Sequence, residues 1–165
     1  MCPGRVRAAA GAAALAAIAV LAAGCGNQQA GATAQPTTMG ANAQVGQVLL
    51  RDVQVTTGTT DPSHAATVLL TLVNQAGQPD ALTAVASDVA GRVDILADAG
   101  CTRSTTRLAL PAGPSAQYMI RLSDLRAGLV RGGNVPITFT FANAGMITVP
   151  APVDSDTALP AGCAG

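Results

Sequence analysis

The side chains of this chain that are best suited to metal chemistry contain sulfur or imidazole. Its 165 residues include four cysteines, four methionines and one histidine, His64. Thiolates, thioethers and imidazoles together favour a soft ion such as Cu(I). A hydrolase is the other chemistry to consider, because Asp61, Ser63 and His64 contain the residue types of a catalytic triad. They are too close in sequence to adopt triad geometry, and no Gly-x-Ser-x-Gly turn is present, so we predict no enzymatic activity.

Cys25 is predicted to be a site of lipid attachment. Two arginines precede an uncharged, alanine-rich run over residues 8–23, and the sequence LAAGC follows at its end. A basic start, a short apolar middle and small residues before a cut are typical of a secretory signal, whereas a membrane span needs about 20 apolar residues. LAAGC resembles the lipobox of bacterial lipoproteins, in which the signal is removed before the cysteine and the cysteine carries fatty acids such as palmitate. The resemblance predicts a signal peptide over 1–24 and anchoring of Cys25 at the extracytoplasmic face of the cell membrane.

Cys101 and Cys163 are the cysteines that remain for the mature domain, since Cys2 is removed with the signal. Disulfides form and persist in exported proteins, so we predict a bond between these two residues. The alternative is a thiolate copper site, which would require both cysteines to stay reduced outside the cell. The disulfide would tie the C-terminal tail, residues 154–165, back to the folded domain.

The charge and the aromatic content argue against nucleic-acid binding. Nine arginines balance nine aspartates, and the chain has two Phe, one Tyr and no Trp. A neutral chain lacks the basic surface that phosphates require, and few aromatic residues leave no platform on which bases stack. The partners that we expect are the membrane, through the lipid, and a protein of the cell envelope.

The composition divides the mature chain into a tether, one folded domain and the tail. The lipidated N-terminus and tether are predicted over 25–45, because this stretch has no periodicity and few large apolar side chains. Over 46–153, apolar and polar residues alternate in short runs separated by Gly, Pro and Asn. Such alternation predicts an all-β antiparallel sandwich of seven or eight strands. The alternating apolar sets are Val53 and Val55; Leu82, Ala84 and Ala86; Leu108 and Leu110; Tyr118, Ile120 and Leu122; and Ile137, Phe139 and Phe141.

Several segments of the domain resemble the periplasmic copper chaperone family called PCu(A)C. The stretch TVLLTLVNQAGQPDALTAVASDVAGRVDI is similar to the first half of that family, LALPAG to its Pro-Ala-Gly turn, and GNVPITFTFANAGMITVPAPV to its last hairpin. The likeness runs over residues 47–153. It implies a cupredoxin-like Greek-key β-sandwich, which agrees with the strand pattern.

The same resemblance places the family's copper ligands on residues that are poorly suited to copper. The family binds Cu(I) through a His after a strand, a Met in the next loop and a His-x-Met pair. Aligned on the motifs, these positions hold Leu96, Thr102, Met119 and Arg121, and both loops are shorter than in the family. Leu96 offers no ligand atom, and Arg121 would put a fixed positive charge beside a cation. The resemblance thus implies the fold, with a degenerate copper site and no metal cofactor.

Other residues offer a way to rebuild a copper site. His64 in the loop DPSHAA, together with Met119 and Met146, would give Cu(I) the ligand types that it prefers if folding brought them together. A Cu(I) chaperone or metal-delivery protein with rearranged ligands is therefore the alternative function. The function that we predict is a membrane-anchored lipoprotein of the cell envelope that acts as a binding or scaffold module.

Overall fold

The computed structural model describes residues 40–57, 64–97, 101–126, 128–154 and 159. All of them belong to one compact unit of the chain, residues 35–165. The predicted signal peptide, the predicted lipid site and most of the predicted tether lie outside the described residues. Within the described ranges, no helix has the length and the apolar character to cross a membrane.

Every regular element of these ranges is a β-strand. In chain order the strands are β1 (Ala41–Val45), β2 (Val48–Thr56), β3 (Ala65–Asn74), β4 (Asp80–Ala86), β5 (Ala90–Leu96), β6 (Ser104–Thr105), β7 (Leu108–Leu110), β8 (Ser115–Leu125), β9 (Asn134–Phe141) and β10 (Met146–Asp154).

The strands form two sheets that join at one corner. The first sheet has the order β6-β5-β8-β3-β2, with β1 on the side of β2 away from β3, and the second has the order β10-β9-β4-β7. The sheets join where the end of β10 runs parallel to the end of β2, with Val153 beside Val55. Strands that are adjacent in space are often distant in sequence, as in Greek-key folds. The predicted all-β sandwich is confirmed, and the described residues contain ten strands where seven or eight were expected.

The core lies between the inner faces of the two sheets. Val68 and Leu70 on β3 and Ile120 and Leu122 on β8 are at most 1% exposed. Phe139 on β9 belongs to the same cluster from the second sheet. Complete burial of such a side chain stabilises the fold by about 1.5–3 kcal/mol. The period-two alternation of the sequence therefore marks the residues that hold the sandwich together.

The sheet begins earlier than the sequence indicated. β1, over Ala41–Val45, falls in the stretch that the composition predicts to be tether, and it pairs with β2 in an antiparallel hairpin. Its inward residues are Ala41, Ala43 and Val45, which are half-buried and alternate with exposed residues. Two of these three side chains are too small to give a period-two hydrophobic signal, so composition alone marked the segment as linker.

β2 contains an irregularity opposite the start of β1. The pairing of β2 with both neighbouring strands shifts register around Asp52, and Asp52 has a left-handed backbone with φ 52°. Gly40 lies against this bulge, where a Cβ atom on residue 40 would overlap the Asp52 backbone. A glycine is therefore required at the point where the chain enters the sheet.

One apolar alternation does not follow the core. The sequence places Leu82, Ala84 and Ala86 on one buried face, and this is wrong beyond Leu82. Leu82 is buried, but Ala84 and Ala86 are exposed and Val85 between them is half-buried. The pairing of β4 with β9 shifts register between Leu82 and Ala84, and a shift of one residue turns the following side chains to the other face.

Candidate functional site

A second apolar cluster lies on the outer face of the first sheet. It consists of Leu69, Leu96, Cys101 and Met119, and we call it the outer cluster. Leu69 on β3 pairs with Met119 on β8, which pairs in turn with Leu96 on β5. Directly paired side chains have Cβ atoms about 5 Å apart, so these three residues form one row across the sheet. The four residues are only 4–7% exposed, although the outer face of a sandwich is ordinarily polar and solvated.

Cys101 covers this row from the loop between β5 and β6. The Ala97 N–H donates to the Arg103 carbonyl at 2.8 Å and closes the loop. Cys101 has a left-handed backbone, φ 55°, and its Sγ lies 3.6 Å from Sδ of Met119. Nη2 of Arg121 donates to the Cys101 carbonyl at 3.4 Å. The loop is thus held to β8 by a sulfur contact and by a guanidinium group.

Cys101 is disulfide-bonded. The other three cysteines of the sequence lie outside the described residues, so the pairing of Cys101 with Cys163 stays a prediction. A thiolate is the form of cysteine that binds a metal ion. While the disulfide is intact, Cys101 therefore supplies no thiolate to the outer cluster.

The positions that the resemblance assigns to copper ligands converge at the outer cluster. Leu96 lies opposite Met119, and Arg121 is two residues further along the same face of β8. Thr102 is exposed, and its neighbour Cys101 points inward instead. The strand register thus brings the positions together, but the side chains there are a leucine, a buried thioether, a disulfide sulfur and a guanidinium.

The alternative ligands His64, Met119 and Met146 lie in different parts of the domain. His64 is exposed in the turn before β3. Met119 lies beside Leu69 of β3. Leu69 follows His64 by five residues, a distance of about 16 Å at the rise of a strand. Met146 is 67% exposed and follows Gly145, which adjoins the β1–β2 turn at the far end of β3. One metal ion cannot contact all three side chains in this arrangement.

Within the described ranges, no three His, Cys, Asp or Glu side chains lie close enough to hold a metal ion. Asp61 and Ser63, which carried the hydrolase alternative, lie outside the described residues.

A cleft of about 510 Å³ lies where the β1–β2, β3–β4 and β9–β10 turns meet. Its lining includes Gln47 and the buried residues Asn74 and Asp80. The Asn74 amide donates to the carbonyls of Gln78 and Leu110 at 2.9 and 3.1 Å. The buried polar groups of the cleft are thus engaged by the backbone of the fold.

Asp80 holds the β9–β10 turn against the start of β4. Its Oδ1 accepts from the N–H groups of Ala81 at 2.7 Å and Asn143 at 2.9 Å, and its Oδ2 accepts from Ala144 at 2.9 Å. Burial raises the pKa of this carboxyl group, but the bonds from Ala81, Asn143, Ala144 and Ala142 lower it by more. The pKa of Asp80 therefore lies below its ordinary value.

Leu69 and Asp80 were not among the residues singled out from the sequence. Leu69 lies in the run TVLLTLVN, which is apolar on both faces of the strand. A continuous apolar run is typical of a strand that is covered on both faces. The sequence therefore contains a signal that the outer face of β3 is buried, as it is in the outer cluster. Asp80 follows Pro79 at the end of a turn, where an aspartate is ordinary, so no local pattern reveals its contacts with a turn over 60 residues away.

Comparison with known proteins agrees with the fold. A family model with the description "Putative lipoprotein LpqE-like" matches residues 48–153, nearly the whole sandwich. No curated protein matches the chain.

Solved PCuAC domains have a similar structure. The apo PCuAC domain from PmoF1 has 22% identity and a TM-score of 0.63, and the match covers 69% of this chain and 98% of that domain. The copper-bound PCuAC domain from PmoF2 has 20% identity and a TM-score of 0.61, with 69% and 97% covered. CuI-DR1885 from Deinococcus radiodurans has 22% identity and a TM-score of 0.54, with 79% and 86% covered. These likenesses confirm the expected PCu(A)C-like, cupredoxin-like sandwich.

Proposed function

The chain belongs to the LpqE-like family, and we propose that its PCu(A)C-like domain acts as a binding module on the extracytoplasmic face of the cell membrane. Fatty acids on Cys25 hold it there, and the residues that follow are the tether. The tether joins the sandwich at β1, whose first residue is Ala41. The lipid anchor thus keeps the domain near the membrane while the domain contacts an envelope protein.

The composition of the outer cluster carries this proposal. The positions that correspond to the family's copper ligands contain Leu96, Met119 and Arg121, and Leu96 and Met119 are 4% and 7% exposed. A copper ion there would have to separate packed side chains, and each of these gains about 1.5–3 kcal/mol from complete burial. It would also lie near the guanidinium of Arg121, whose repulsion of a cation is strengthened by low local polarity.

Metal analysis of protein taken from the envelope tests the proposal. We expect the lipidated protein, isolated without added metal, to contain far less than one copper ion per chain. The matched control is the disulfide-bonded Arg121→Gln variant, which lacks the repelling charge but gains no soft ligand for copper. One copper ion per wild-type chain would overturn the proposal.

Photo-cross-linking tests for the partner. The chain has no lysine, so amine-reactive cross-linkers are unsuitable. A photoreactive residue placed at Gln117 or at Thr148 would sample one exposed position on each sheet. We expect a discrete protein adduct from at least one position in the intact envelope, and none from the same variants when Cys25 is replaced by Ala. The absence of any protein adduct from both positions would contradict a binding role.

Delivery of Cu(I) is the second candidate function, and one observation favours it. Two sulfur atoms, Sγ of Cys101 and Sδ of Met119, lie 3.6 Å apart in the outer cluster. Reduction of the disulfide would give Cys101 a thiolate beside the thioether of Met119, and both are soft ligands. A solved domain of the same fold is copper-bound. Stoichiometric copper in the isolated protein, lost on Met119→Ala, would favour this function over the first.

A further inference from the structure

The three turns that form the cleft are joined to one another by hydrogen bonds. The Gln75 N–H donates to the Gln47 carbonyl at 2.8 Å, which joins the β3–β4 turn to the β1–β2 turn. The Asp80 carboxylate accepts from the N–H groups of Asn143 and Ala144, both at 2.9 Å, which joins the β9–β10 turn to the start of β4. The cleft is therefore preformed, and a preformed site loses less conformational entropy when a ligand binds.

The lining of the cleft combines small apolar side chains with exposed side-chain amides. An amide side chain carries donors and an acceptor, so it pairs with both the N–H and the C=O group of another amide. The apolar residues of the lining are Val48, Ala76, Pro79 and Ala144, and the exposed amides belong to Gln47, Gln78 and Asn143.

The charge of the lining restricts the class of ligand. Asp80 is the one ionisable residue among the described residues that line the cleft, and its oxygens already accept from the N–H groups of Ala81, Asn143 and Ala144. The same lining has no cation to attract an anionic ligand and no aromatic face on which a sugar ring could pack. The chemistry that fits is an uncharged chain of amides with small apolar side chains, which is a peptide.

The cleft is separate from the point at which the chain enters the sheet. Ala41, the first residue of β1, lies beside Val53 of β2. Val48, which lines the cleft, precedes Val53 by five residues, a distance of about 16 Å at the rise of a strand. The attachment of the predicted membrane anchor and the cleft therefore occupy different parts of the sandwich.

We propose that this cleft binds an uncharged peptide segment of the envelope partner. Its volume of about 510 Å³ lies within the range of roughly 300–1,000 Å³ that is usual for ligand sites. Small apolar side chains of the peptide pack on Val48 and Ala144, and its backbone amides pair with the side chains of Gln47 and Gln78. The inference deepens the proposed function and rests on it, because it names the surface through which the binding module holds its partner.

A blocked, uncharged tripeptide tests the chemistry of the cleft. Acetyl-Ala-Val-Ala-amide is added to the isotope-labelled mature protein in detergent, and the N–H signals of Ala76, Asn143 and Ala144 are followed by NMR. We expect saturable shifts with a dissociation constant of about 1 mM or tighter. Acetyl-Ala-Asp-Ala-amide should bind at least about tenfold more weakly, because its carboxylate approaches that of Asp80. Maltotriose should cause no saturable shift.

Replacement of the lining glutamines tests the amide contacts. The Gln47→Ala, Gln78→Ala double variant should bind acetyl-Ala-Val-Ala-amide about fivefold or more weakly, because it lacks the side-chain hydrogen bonds to the peptide. Gln75→Ala is the matched control, since Gln75 is exposed in the same β3–β4 turn, does not line the cleft and keeps its backbone N–H. We expect Gln75→Ala to bind the tripeptide as the wild type does.

Photo-cross-linking in the intact envelope tests the natural occupant. A photoreactive residue at Gln78 should give a protein adduct. Ala144→Leu in the same chain should abolish this adduct, because the larger side chain fills the cleft. The matched control is Ala142→Leu, at an exposed position of the same turn that does not line the cleft. The control should retain the adduct.

Several results would overturn the inference. No saturable shift with the uncharged tripeptide, equal affinity for the acidic one, or binding of maltotriose in its place would each show that the cleft is not a peptide site. A lipid or glycan adduct from Gln78 would do the same. Protein adducts from Gln117 or Thr148 but none from Gln78 would exclude the cleft and leave the proposed function intact, whereas no protein adduct from any of the three positions would contradict both.

Discussion

The positions that the resemblance assigns to copper ligands converge in this protein, but they carry side chains that are poorly suited to copper. Leu96, Met119 and Arg121 were located from the motifs around them, and the pairing of β5 with β8 places them together. The loop position was harder to locate. Counting indicated Thr102, whereas the residue that points inward is Cys101, with φ 55°. Sequence motifs fix positions within strands because register is periodic, but a shortened loop has no such period.

Restoring ligand atoms at these positions should restore copper binding. In the reduced Leu96→His, Arg121→Met double variant, an imidazole and a thioether replace a leucine and a guanidinium beside Met119. We expect its Cu(I) affinity to exceed that of the reduced wild type by about tenfold or more, because soft ligands replace a repelling charge. Competition with a chromophoric chelator measures the affinity.

The control for this variant is Thr138→His, Thr148→Met. These residues form a cross-strand pair on the second sheet, with hydroxyl groups 2.8 Å apart. The control adds the same two side chains at a paired position without Met119 nearby. Equal affinity gains in both double variants would show that the outer cluster is not a latent copper site.

At the scale of elements, apolar alternation predicts the strands whose inward side chains are large. It identifies β8 and β9 because Ile120, Leu122 and Phe139 are buried on one face. It misses β1, whose inward residues include two alanines, and it assigns the wrong face after the register shift in β4. Bulges and short pairs depend on contacts between distant segments, which a local period does not contain.

The entry of the chain into the sheet depends on Gly40. A Cβ atom at residue 40 would overlap the Asp52 backbone at the β2 bulge, whereas one at Gly77 meets no atom within 4 Å. We expect Gly40→Ala to lower the free energy of unfolding by about 1–3 kcal/mol, the range for overpacking. Gly77→Ala is the matched control and should change it by less than about 0.5 kcal/mol. Urea unfolding of both variants measures the difference, and equal stability of the two would contradict the bulge geometry.

Asp80 links β4 to the β9–β10 turn, and this link should depend on pH. Its pKa is lower in the folded protein than the ordinary value of 3.8. The ionised carboxylate therefore stabilises the fold above about pH 4, and this contribution is lost as the pH falls through the lower, folded-state pKa. Asp80→Asn should lower the free energy of unfolding at pH 7 by about 1–3 kcal/mol, because an amide nitrogen would then face a buried N–H group.

The pH dependence distinguishes loss of the Asp80 charge from a packing defect in the Asp80→Asn variant. As the pH is lowered below 4, the difference in unfolding free energy between wild type and Asp80→Asn should shrink. Asp94→Asn is the control, because Asp94 forms an exposed ion pair with Arg92, whose side chain is 66% exposed. A difference for Asp80→Asn that stays constant between pH 7 and pH 3 would contradict the role of the charge.

At the scale of the whole molecule, the proposed function combines an anchor, a tether and a sandwich. The sequence predicts the anchor from Cys25 and its flanking residues, which lie outside the described part of the structure. Cys25→Ala should leave the signal peptide uncleaved and the chain without fatty acids. Partitioning of the protein into the detergent phase should then fall, since fatty acids contribute about 0.8 kcal/mol of membrane-binding free energy per buried CH₂. Cys163→Ser serves as the control and should partition as the wild type does. Absence of an acyl mass on Cys25 of the wild-type protein would refute the anchor.

We propose that the PCu(A)C-like domain, in its disulfide-bonded form, does not carry copper. Titration of the disulfide-bonded domain with Cu(I), in competition with a chromophoric chelator, tests this most directly. We expect a dissociation constant of about 1 μM or weaker, because the ligand positions offer one buried thioether beside a positive charge. A one-to-one complex with a sub-nanomolar dissociation constant that weakens on Met119→Ala would contradict the claim and establish a copper site in the outer cluster.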